Sequence, residues 1–274
     1  MTKRLRLDAE LVRRGLARSR DEASTLIADG AVTVGGLAAR KPATAVATDQ
    51  PIVVREPDQT PAYASRGAHK LIGALEVFGP DGLEVENRRC LDAGASTGGF
   101  TDVLLRRGAA SVVAVDVGYG QLAWSLRNDD RVEVHDRTNV RHLTRDVIGG
   151  SVDVVTSDLS FISLTVVLPA LSAVCSDDGD QVLMVKPQFE VGKGRLGKNG
   201  VVRDPALRVE AVEAVCARAQ ELGWGTRGLA ASPLPGPAGN VEYFCWLRRD
   251  APPVDPARVA AVVAAGPDGE KVGT

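Results

Sequence analysis

The chain has 274 residues, of which 44% are hydrophobic and 25% charged, and its formal net charge at pH 7 is -2. Such a length and composition are ordinary for a soluble globular protein of one large or two small domains, with enough residues to bury a sizeable core. The charge excludes a polycation, so any surface that binds nucleic acid is expected to be a local patch.

The cysteines lie far apart in the chain, in apolar surroundings, and form no C-x-x-C pair. We expect them to be reduced core residues rather than zinc ligands or disulfides, and with only three histidines present no metal site is predicted. The N-terminus has no apolar signal region, and no uninterrupted apolar run is long enough to span a bilayer. We therefore expect a cytoplasmic monomer without stable membrane association.

Two short helices are predicted at the start of the chain. The first covers residues 8–14, and the second begins at Ser19, where Glu22 three residues later completes a capping box. Gly30 ends this second helix. Two short strands follow around Gly35-Gly36, a dipeptide typical of a two-residue hairpin turn, so these elements predict a small α+β domain.

This small domain, residues 1–60, is rich in arginine: the first 20 residues hold seven Arg or Lys against two acids. Residues 6–36, R-L-D-A-E-L-V-R-R-G-L-A-R-S-R-D-E-A-S-T-L-I-A-D-G-A-V-T-V-G-G, resemble the RNA-binding domain named after ribosomal protein S-four. That family docks basic side chains on folded RNA and reads shape and phosphates more than sequence. A solvated basic face is the alternative. The resemblance implies RNA contacts from Arg4, Arg6, Arg18, Arg20 and Lys41.

A proline-containing linker, residues 61–67, precedes a helix over residues 68–78. From there strands and helices alternate to residue 250, including a helix over 120–127, and this order predicts a Rossmann-like, doubly wound α/β sheet that is mostly parallel. The last two strands, separated by a Pro-Gly-rich turn, predict an antiparallel edge hairpin. Residues 251–274, with several prolines and glycines, predict a disordered tail.

Residues 90–100, C-L-D-A-G-A-S-T-G-G-F, join a buried strand to a helix through a glycine-rich turn. Ser96 occupies the position where a dinucleotide fingerprint has its second glycine, which argues against a bound pyrophosphate. A ligand with an adenine, a ribose and a charged amino-acid end fits better, and S-adenosylmethionine is the candidate. The next strand ends at Asp116, about the distance at which an acidic residue meets ribose hydroxyls. The alternative is a turn that only closes a βα unit.

Four polar residues fall at or near the carboxyl ends of predicted strands, where ligands lie in doubly wound sheets. They are Asp116, Asp158, Lys186 and Glu242. A lysine that ends the apolar run Q-V-L-M-V is hard to explain by solubility, and a lysine among carboxylates is a tunable proton acceptor. Each residue alone is more often a structural ion pair or strand cap, but four at one edge favour catalysis.

Six motifs resemble the FtsJ-like family of ribose 2′-O-methyltransferases: S-R-G-A-H-K, C-L-D-A-G-A-S-T-G-G-F, A-V-D-V-G-Y-G-Q-L, D-L-S-F-I-S, V-K-P-Q-F-E-V-G-K-G and G-N-V-E-Y-F. With an RNA-binding domain at its N-terminus, the whole chain resembles the TlyA family of ribosomal-RNA methyltransferases.

The resemblance implies a catalytic tetrad of Lys70, Asp158, Lys186 and Glu242. A ribose 2′-hydroxyl is a poor nucleophile, so Lys186 would accept or steer its proton, the carboxylates would orient that lysine, and Lys70 would help hold the substrate.

The resemblance also implies ligand contacts. Cofactor contacts are expected from Asp92, Gly94, Ser96, Thr97, Gly98, Gly99, Phe100, Asp116, Val117 and Asp136. Asp136 would meet the adenine edge, with loop capping as the alternative. Arg66 would contact RNA, and Phe161 would stack on a displaced base unless it is a core residue. The basic segment 192–200 would close over RNA or be a disordered loop.

The predicted function is S-adenosylmethionine-dependent 2′-O-methylation of a ribose, by resemblance of a cytidine, in 16S and/or 23S ribosomal RNA. The resemblance further implies ribosomal RNA or ribosomal subunits as partners and sensitivity to ribosome-targeting peptide antibiotics as a consequence. The alternatives are a non-catalytic RNA-binding assembly factor and a haemolysin, a label this family has also carried. Residues 61–64, P-A-Y-A, depart from the basic, tryptophan-bearing linker of the family.

Overall fold

The computed structural model describes residues 4–17, 19–28, 30–54 and 63–266. The chain divides into two compact units, Met1–Ala62 and Tyr63–Thr274. The first unit corresponds to the predicted small domain, and the second begins inside the predicted linker. Within the described residues, no helix is both long enough and apolar enough to cross a membrane.

The described residues of the first unit form two helices and five short strands: β1 Arg4–Arg6, α1 Leu7–Arg13, α2 Arg20–Ala28, β2 Val32–Val34, β3 Leu37–Ala38, β4 Ala45–Ala47 and β5 Ile52–Val54. Strand β1 pairs with β4, and β2 lies between β3 and β5; all three pairings are antiparallel. Ser19 Oγ accepts a hydrogen bond from the Glu22 amide at 3.1 Å, as predicted for the start of α2. Gly35 and Gly36 both have positive φ, which a tight hairpin turn of this length requires. The sequence interpretation missed β1 and β4.

The second unit is built on one seven-stranded sheet with the order β11-β12-β10-β9-β6-β7-β8. Its strands are β6 Arg89–Ala93, β7 Ser111–Val115, β8 Val132–His135, β9 Val152–Ser157, β10 Cys175–Val185, β11 Gly225–Ala231 and β12 Tyr243–Arg248. Strands β6 to β10 are parallel, and β12 runs antiparallel to both of its neighbours. The predicted doubly wound sheet is therefore confirmed, and β12 is inserted between β10 and β11.

Helices cover both faces of this sheet: α3 Ala68–Phe78, α4 Gly99–Arg106, α5 Trp124–Arg127, α6 Leu164–Val174, α7 Pro187–Glu190, α8 Pro205–Glu221 and α9 Pro256–Ala265. Side chains of α3, α4 and α5 belong to one buried cluster, and those of α6, α8 and α9 to the other. The strands are near-continuous apolar runs because both of their faces are buried. Helix α5 is shorter than predicted, since Gly120 adopts a left-handed backbone conformation and Ala123, directly before the helix, has a ψ of 139° that is not helical.

The prediction of a disordered tail from residue 251 is wrong for its described part. Asp255 caps α9 by accepting a hydrogen bond from the Ala257 amide at 2.9 Å, and Pro256 occupies the first helical position. Val259 and Val263 are buried in the core of the second unit. Pro256, one of the prolines on which the prediction of a disordered tail was based, instead starts the helix, where its missing N–H costs nothing.

Candidate active site

A cavity of about 750 Å³ opens at the carboxyl edge of the sheet in the second unit. It is lined by residues that follow β6, β9 and β10, by residues 65–70, and by the loop 234–239. Among the predicted site residues it gathers Arg66, Lys70, Asp92, Gly94, Ser96, Thr97, Gly99, Phe100, Asp158 and Lys186. The parallel strands bring these residues together because their carboxyl ends lie at one edge of the sheet.

The glycine-rich turn is held tightly against its surroundings. The amides of Gly94 and Ala95 both donate to the Val115 carbonyl, at 2.8 and 3.1 Å. Gly98 has a φ of +98°, and a Cβ there would lie 2.3 Å from a Leu126 methyl carbon. A Cβ on Gly99 would lie 2.2 Å from Ser65 Oγ. Glycine is therefore required at both positions for the turn to pack against its neighbours.

Asp92, at the end of β6, is fully buried. Its Oδ2 accepts hydrogen bonds from the amide and the hydroxyl of Thr101, at 2.9 and 2.7 Å, whereas no described group of the chain bonds to Oδ1. Burial raises the pKa of Asp92 to about 7, and the nearby Asp158 and Asp116 carboxylates add to this effect, against the Thr101 hydrogen bonds. The residue thus offers an unused acceptor at the cavity, suited to a cationic group.

Asp116, one residue after β7, ties that strand to the glycine turn. Its Oδ2 accepts from the Ser96 amide at 2.8 Å, and its Oδ1 accepts from the Gly118 amide at 2.7 Å. The neighbouring Val117 is exposed. The carboxylate is therefore held in a fixed position beside the cavity, although its predicted contact with a ribose stays a prediction.

Asp136, directly after β8, bonds to neighbouring parts of the chain, as expected for a residue that caps a loop. It forms an ion pair with Arg127 and accepts a hydrogen bond from the Gly120 amide at 3.3 Å. The hydrogen bond from Arg127 is the main reason that the pKa of Asp136 lies below its ordinary value. These contacts are all within the protein, and the contact of Asp136 with an adenine edge stays a prediction.

The four residues of the predicted tetrad form two ion pairs. Lys70 Nζ lies 2.6 Å from Glu242 Oε2, and Lys186 Nζ lies 2.6 Å from Asp158 Oδ1. Helix α3 supplies Lys70, while the other three residues directly follow β9, follow β10 or precede β12. Lys70, Lys186 and Glu242 are buried, so each charge depends on its partner.

Two further side chains that sequence interpretation did not single out touch these pairs. Ser160 Oγ accepts a hydrogen bond from Lys186 Nζ at 3.0 Å, and Gln188 Nε2 donates to Glu242 Oε1 at 3.4 Å. Both lie inside quoted motifs, D-L-S-F-I-S and V-K-P-Q-F-E-V-G-K-G. The motifs were the signal that could have identified them, but spacing alone does not show which residue of a motif contacts a lysine.

Several arginines of the first unit are held by buried carboxylates. Asp8 forms ion pairs with Arg6 and Arg20, both at 2.9 Å, and the Arg6 hydrogen bond is the main reason that the pKa of Asp8 lies well below its usual range. Glu10 likewise accepts from Arg13 and Arg14. The Asp8 carboxylate therefore holds both Arg6 and Arg20 at the surface.

The remaining residues predicted to contact RNA differ in their surroundings. Arg4 and Lys41 are exposed, and Arg66 is exposed at the cavity. Arg18 lies outside the described residues.

The side chain of Phe161 is 91% exposed, which excludes the alternative that Phe161 is a core residue, and the φ angle of Phe161 is +65°. Its ring centroid lies 5.3 Å from that of Phe189, so the exposed ring is supported on one side.

The basic segment 192–200 contains two short 3₁₀ turns, and Arg195 in it forms an ion pair with Glu210 of α8. Asn240 connects the end of this segment to the cavity wall, because its Nδ2 donates to the Gly200 carbonyl at 3.1 Å and its Oδ1 accepts from the Val202 amide at 2.9 Å. Closure of the segment over RNA stays a prediction. All four cysteines are buried free thiols.

Comparison with known proteins agrees with this geometry. Residues 63–249 match the FtsJ-like methyltransferase family model, and residues 5–52 match the S4 domain model. The chain is 64% identical over 248 residues to the 16S/23S rRNA (cytidine-2′-O)-methyltransferase TlyA of Mycobacterium tuberculosis, covering 90% of this chain and 91% of that protein. It is 37% identical to Hemolysin A of Brachyspira hyodysenteriae, covering 88% and 98% of the two chains. A solved structure from Streptococcus thermophilus that carries a hemolysin name superposes with a TM-score of 0.73 at 38% identity, covering 96% of both chains.

Proposed function

This chain belongs to the FtsJ-like methyltransferases and, within them, to the TlyA family, and from that premise we propose that it methylates the 2′-hydroxyl of a cytidine ribose in ribosomal RNA. The observation that carries the proposal is the presence of two ion pairs, Lys70 with Glu242 and Lys186 with Asp158, beside a glycine-rich turn. The cofactor of the family is S-adenosylmethionine. The RNA is 16S rRNA, 23S rRNA or both, and sensitivity to ribosome-targeting peptide antibiotics is the expected consequence.

The residues beside the turn fit S-adenosylmethionine. Asp92 Oδ1 is an unpaired acceptor in a residue that lines the cavity, which suits the ammonium group of the methionine end. The turn from Ser96 to Phe100 would frame that end, and Asp116 would hold the ribose hydroxyls. When bound, S-adenosylmethionine supplies a methyl group activated by a sulfonium sulfur.

The chain's own contribution to the reaction is to position the ribose and manage its proton. Lys186 would accept or steer the proton of the 2′-hydroxyl, and its ion pair with Asp158 fixes the nitrogen at the cavity. Lys70, fixed by Glu242, would hold the substrate. Both lysines already have carboxylate partners, so the site needs little rearrangement on binding, and positioning supplies most of the rate enhancement.

The RNA would be bound by residues outside the tetrad. The first unit matches the S4 domain, whose basic residues here include the exposed Arg4 and Lys41. Arg66 would contact a phosphate at the cavity, since it is exposed there. The exposed ring of Phe161 would stack on a base displaced from its helix, because a target in paired RNA must leave its stack to reach the cavity.

We place the reaction in the cytoplasm, where ribosomes and S-adenosylmethionine meet, and expect a monomer.

Transfer of a labelled methyl group from S-adenosylmethionine to purified 30S and 50S ribosomal subunits tests the proposal. We expect label in 2′-O-methylcytidine after digestion of the RNA, and a loss of at least about 100-fold in Lys186→Ala. Arg258→Ala removes an exposed cation of α9 that does not line the cavity and is the matched control. Cofactor binding without incorporation into either subunit would instead support a non-catalytic RNA-binding assembly factor.

A further inference from the structure

A hydroxyl group touches the catalytic lysine in addition to its carboxylate partner. Ser160 Oγ lies 3.0 Å from Lys186 Nζ, and Ser160 lines the same cavity as the lysine. Lys186 is buried, whereas Ser160 is exposed at the mouth of the cavity. The hydroxyl therefore stands where it can act on the lysine without blocking the approach of a substrate.

The two partners of Lys186 define the direction of its nitrogen. A lysine nitrogen has three substituent positions beyond its own carbon chain. Ser160 Oγ, at 3.0 Å, accepts one of its hydrogens, whereas Asp158 Oδ1, 2.6 Å away, forms an ion pair that lacks hydrogen-bond geometry. With the carboxylate alone, the nitrogen could rotate about its terminal bond and keep its ion pair. The hydroxyl removes that freedom.

The segment that carries Ser160 is itself held in place. The Asp158 amide donates to the Ala93 carbonyl at 3.2 Å, which attaches the start of the segment to β6. Its other end is attached by Glu190, which accepts hydrogen bonds from Ser163 Oγ at 2.5 Å and from the Leu164 amide at 2.9 Å. Ser160 lies between these attachments, so its hydroxyl has a defined position relative to Lys186.

We propose that Ser160 is a positioning residue whose hydroxyl fixes the rotation of the Lys186 nitrogen and so directs it towards the substrate 2′-hydroxyl. This inference rests on the proposed function, because it assigns Ser160 a part in the same proton transfer. The charged groups that share the cavity region with Lys186 are Arg66, Asp158, Asp92 and the Lys70–Glu242 pair. Ser160 is uncharged and bonds directly to the lysine.

The test compares Ser160→Ala and Ser160→Thr with the intact protein in methyl transfer to ribosomal subunits. In Ser160→Ala we expect kcat to fall roughly 10-fold, the size of effect that a hydrogen bond to a charged group has, with KM for the RNA within about twofold. Ser160→Thr keeps the hydroxyl and should restore kcat.

Ser125→Ala is the matched control, since Ser125 is an exposed serine of α5 that does not line the cavity. We expect it to keep both kcat and KM. Unchanged kcat in Ser160→Ala would overturn the inference, and so would a loss of kcat that Ser160→Thr does not restore. If the intact protein transfers no methyl group to either subunit, the proposed function itself fails, which the variants cannot mimic.

Discussion

Lys186 and Glu242 stand opposite each other at the end of an antiparallel ladder, yet each pairs with a different residue. Lys186 directly follows β10 and Glu242 directly precedes β12, next to the paired residues Val185 and Tyr243. Glu242 pairs with Lys70, and Lys186 with Asp158. The strand pairing thus brings two neutral ion pairs side by side, and each can be altered while the other stays complete.

The Lys70–Glu242 pair is expected to show strong coupling in a double-mutant cycle. The Lys70 side chain is only 10% exposed, so Glu242→Leu leaves a buried ammonium without its carboxylate and should lower the free energy of unfolding by about 3 kcal/mol. Lys70→Met combined with Glu242→Leu removes both charges and should recover more than about 1 kcal/mol of that loss. Urea unfolding followed by tryptophan fluorescence measures both, since all three tryptophans lie in the second unit. Simple additivity of the two single variants would contradict the coupling.

Gly98 and Gly82 form a matched pair for testing the glycine turn. Their backbone angles are nearly equal, with φ/ψ of 98°/23° and 100°/17°. A Cβ on Gly98 would meet Leu126 at 2.3 Å, whereas one on Gly82 would meet nothing within 4 Å. Both alanine variants should lose about 1 kcal/mol through the left-handed conformation. Only Gly98→Ala should also weaken S-adenosylmethionine binding, by more than about 10-fold, as measured by calorimetry. Equal affinities in the two variants would show that the turn tolerates the displaced leucine.

Cofactor affinity should depend on pH through Asp92. Its pKa rises from the ordinary value of 3.8 to about 7, so the folded protein holds this proton more tightly than the unfolded chain. Its contribution to stability is therefore complete below about pH 4 and is lost as the pH rises through about 7. The anionic form is the one that attracts an ammonium group, so the affinity for S-adenosylmethionine should increase between about pH 5.5 and 7.5.

Calorimetric titrations across that range, with Asp92→Asn beside the intact protein, provide the measurement. The variant retains the titration of the ligand itself, so the difference between the two proteins isolates Asp92. The same slope in both proteins would mean that Asp92 does not meet the cationic end of the ligand.

Phe161 should matter for RNA and little for folding. Its side chain is 91% exposed, so Phe161→Ala should change the free energy of unfolding by less than about 1 kcal/mol. Loss of one base–aromatic stack, about 1–3 kcal/mol, should lower kcat/KM for ribosomal subunits between about 5- and 150-fold. Phe161→Tyr keeps the ring and should retain most of the activity. A fully active alanine variant would argue against stacking.

The residues at the strand ends could be predicted from the sequence because a parallel sheet fixes where its carboxyl ends lie. Asp158 and Lys186 follow buried strands directly, and the structure brings them within 2.6 Å of each other. Lys70 could be assigned only through the family resemblance, since it comes from helix α3 and not from a strand end. Its partnership with Glu242 joins residues 172 positions apart, which no local pattern encodes.

The errors in the sequence interpretation have a common physical origin in tertiary contacts. Strands β1 and β4 are three residues each and exist through their pairing with each other. The arginines near the N-terminus were predicted to contact RNA, which stays a prediction, but the sequence did not show that the buried Asp8 binds two of them. In both cases the deciding partner lies outside the local window from which propensity and charge are judged.

Helix α9 sets a practical limit on where the catalytic unit can be shortened. The family match ends at residue 249, and α9 begins at Pro256, beyond that match. Its buried Val259 and Val263 belong to the same core as Leu229 of β11, the terminal strand of the sheet. A chain cut where the family similarity stops would uncover this apolar surface beside an unpaired strand edge, the combination that leads to aggregation by strand addition. We therefore expect a fragment designed from similarity alone to precipitate, although it contains all four residues of the predicted tetrad.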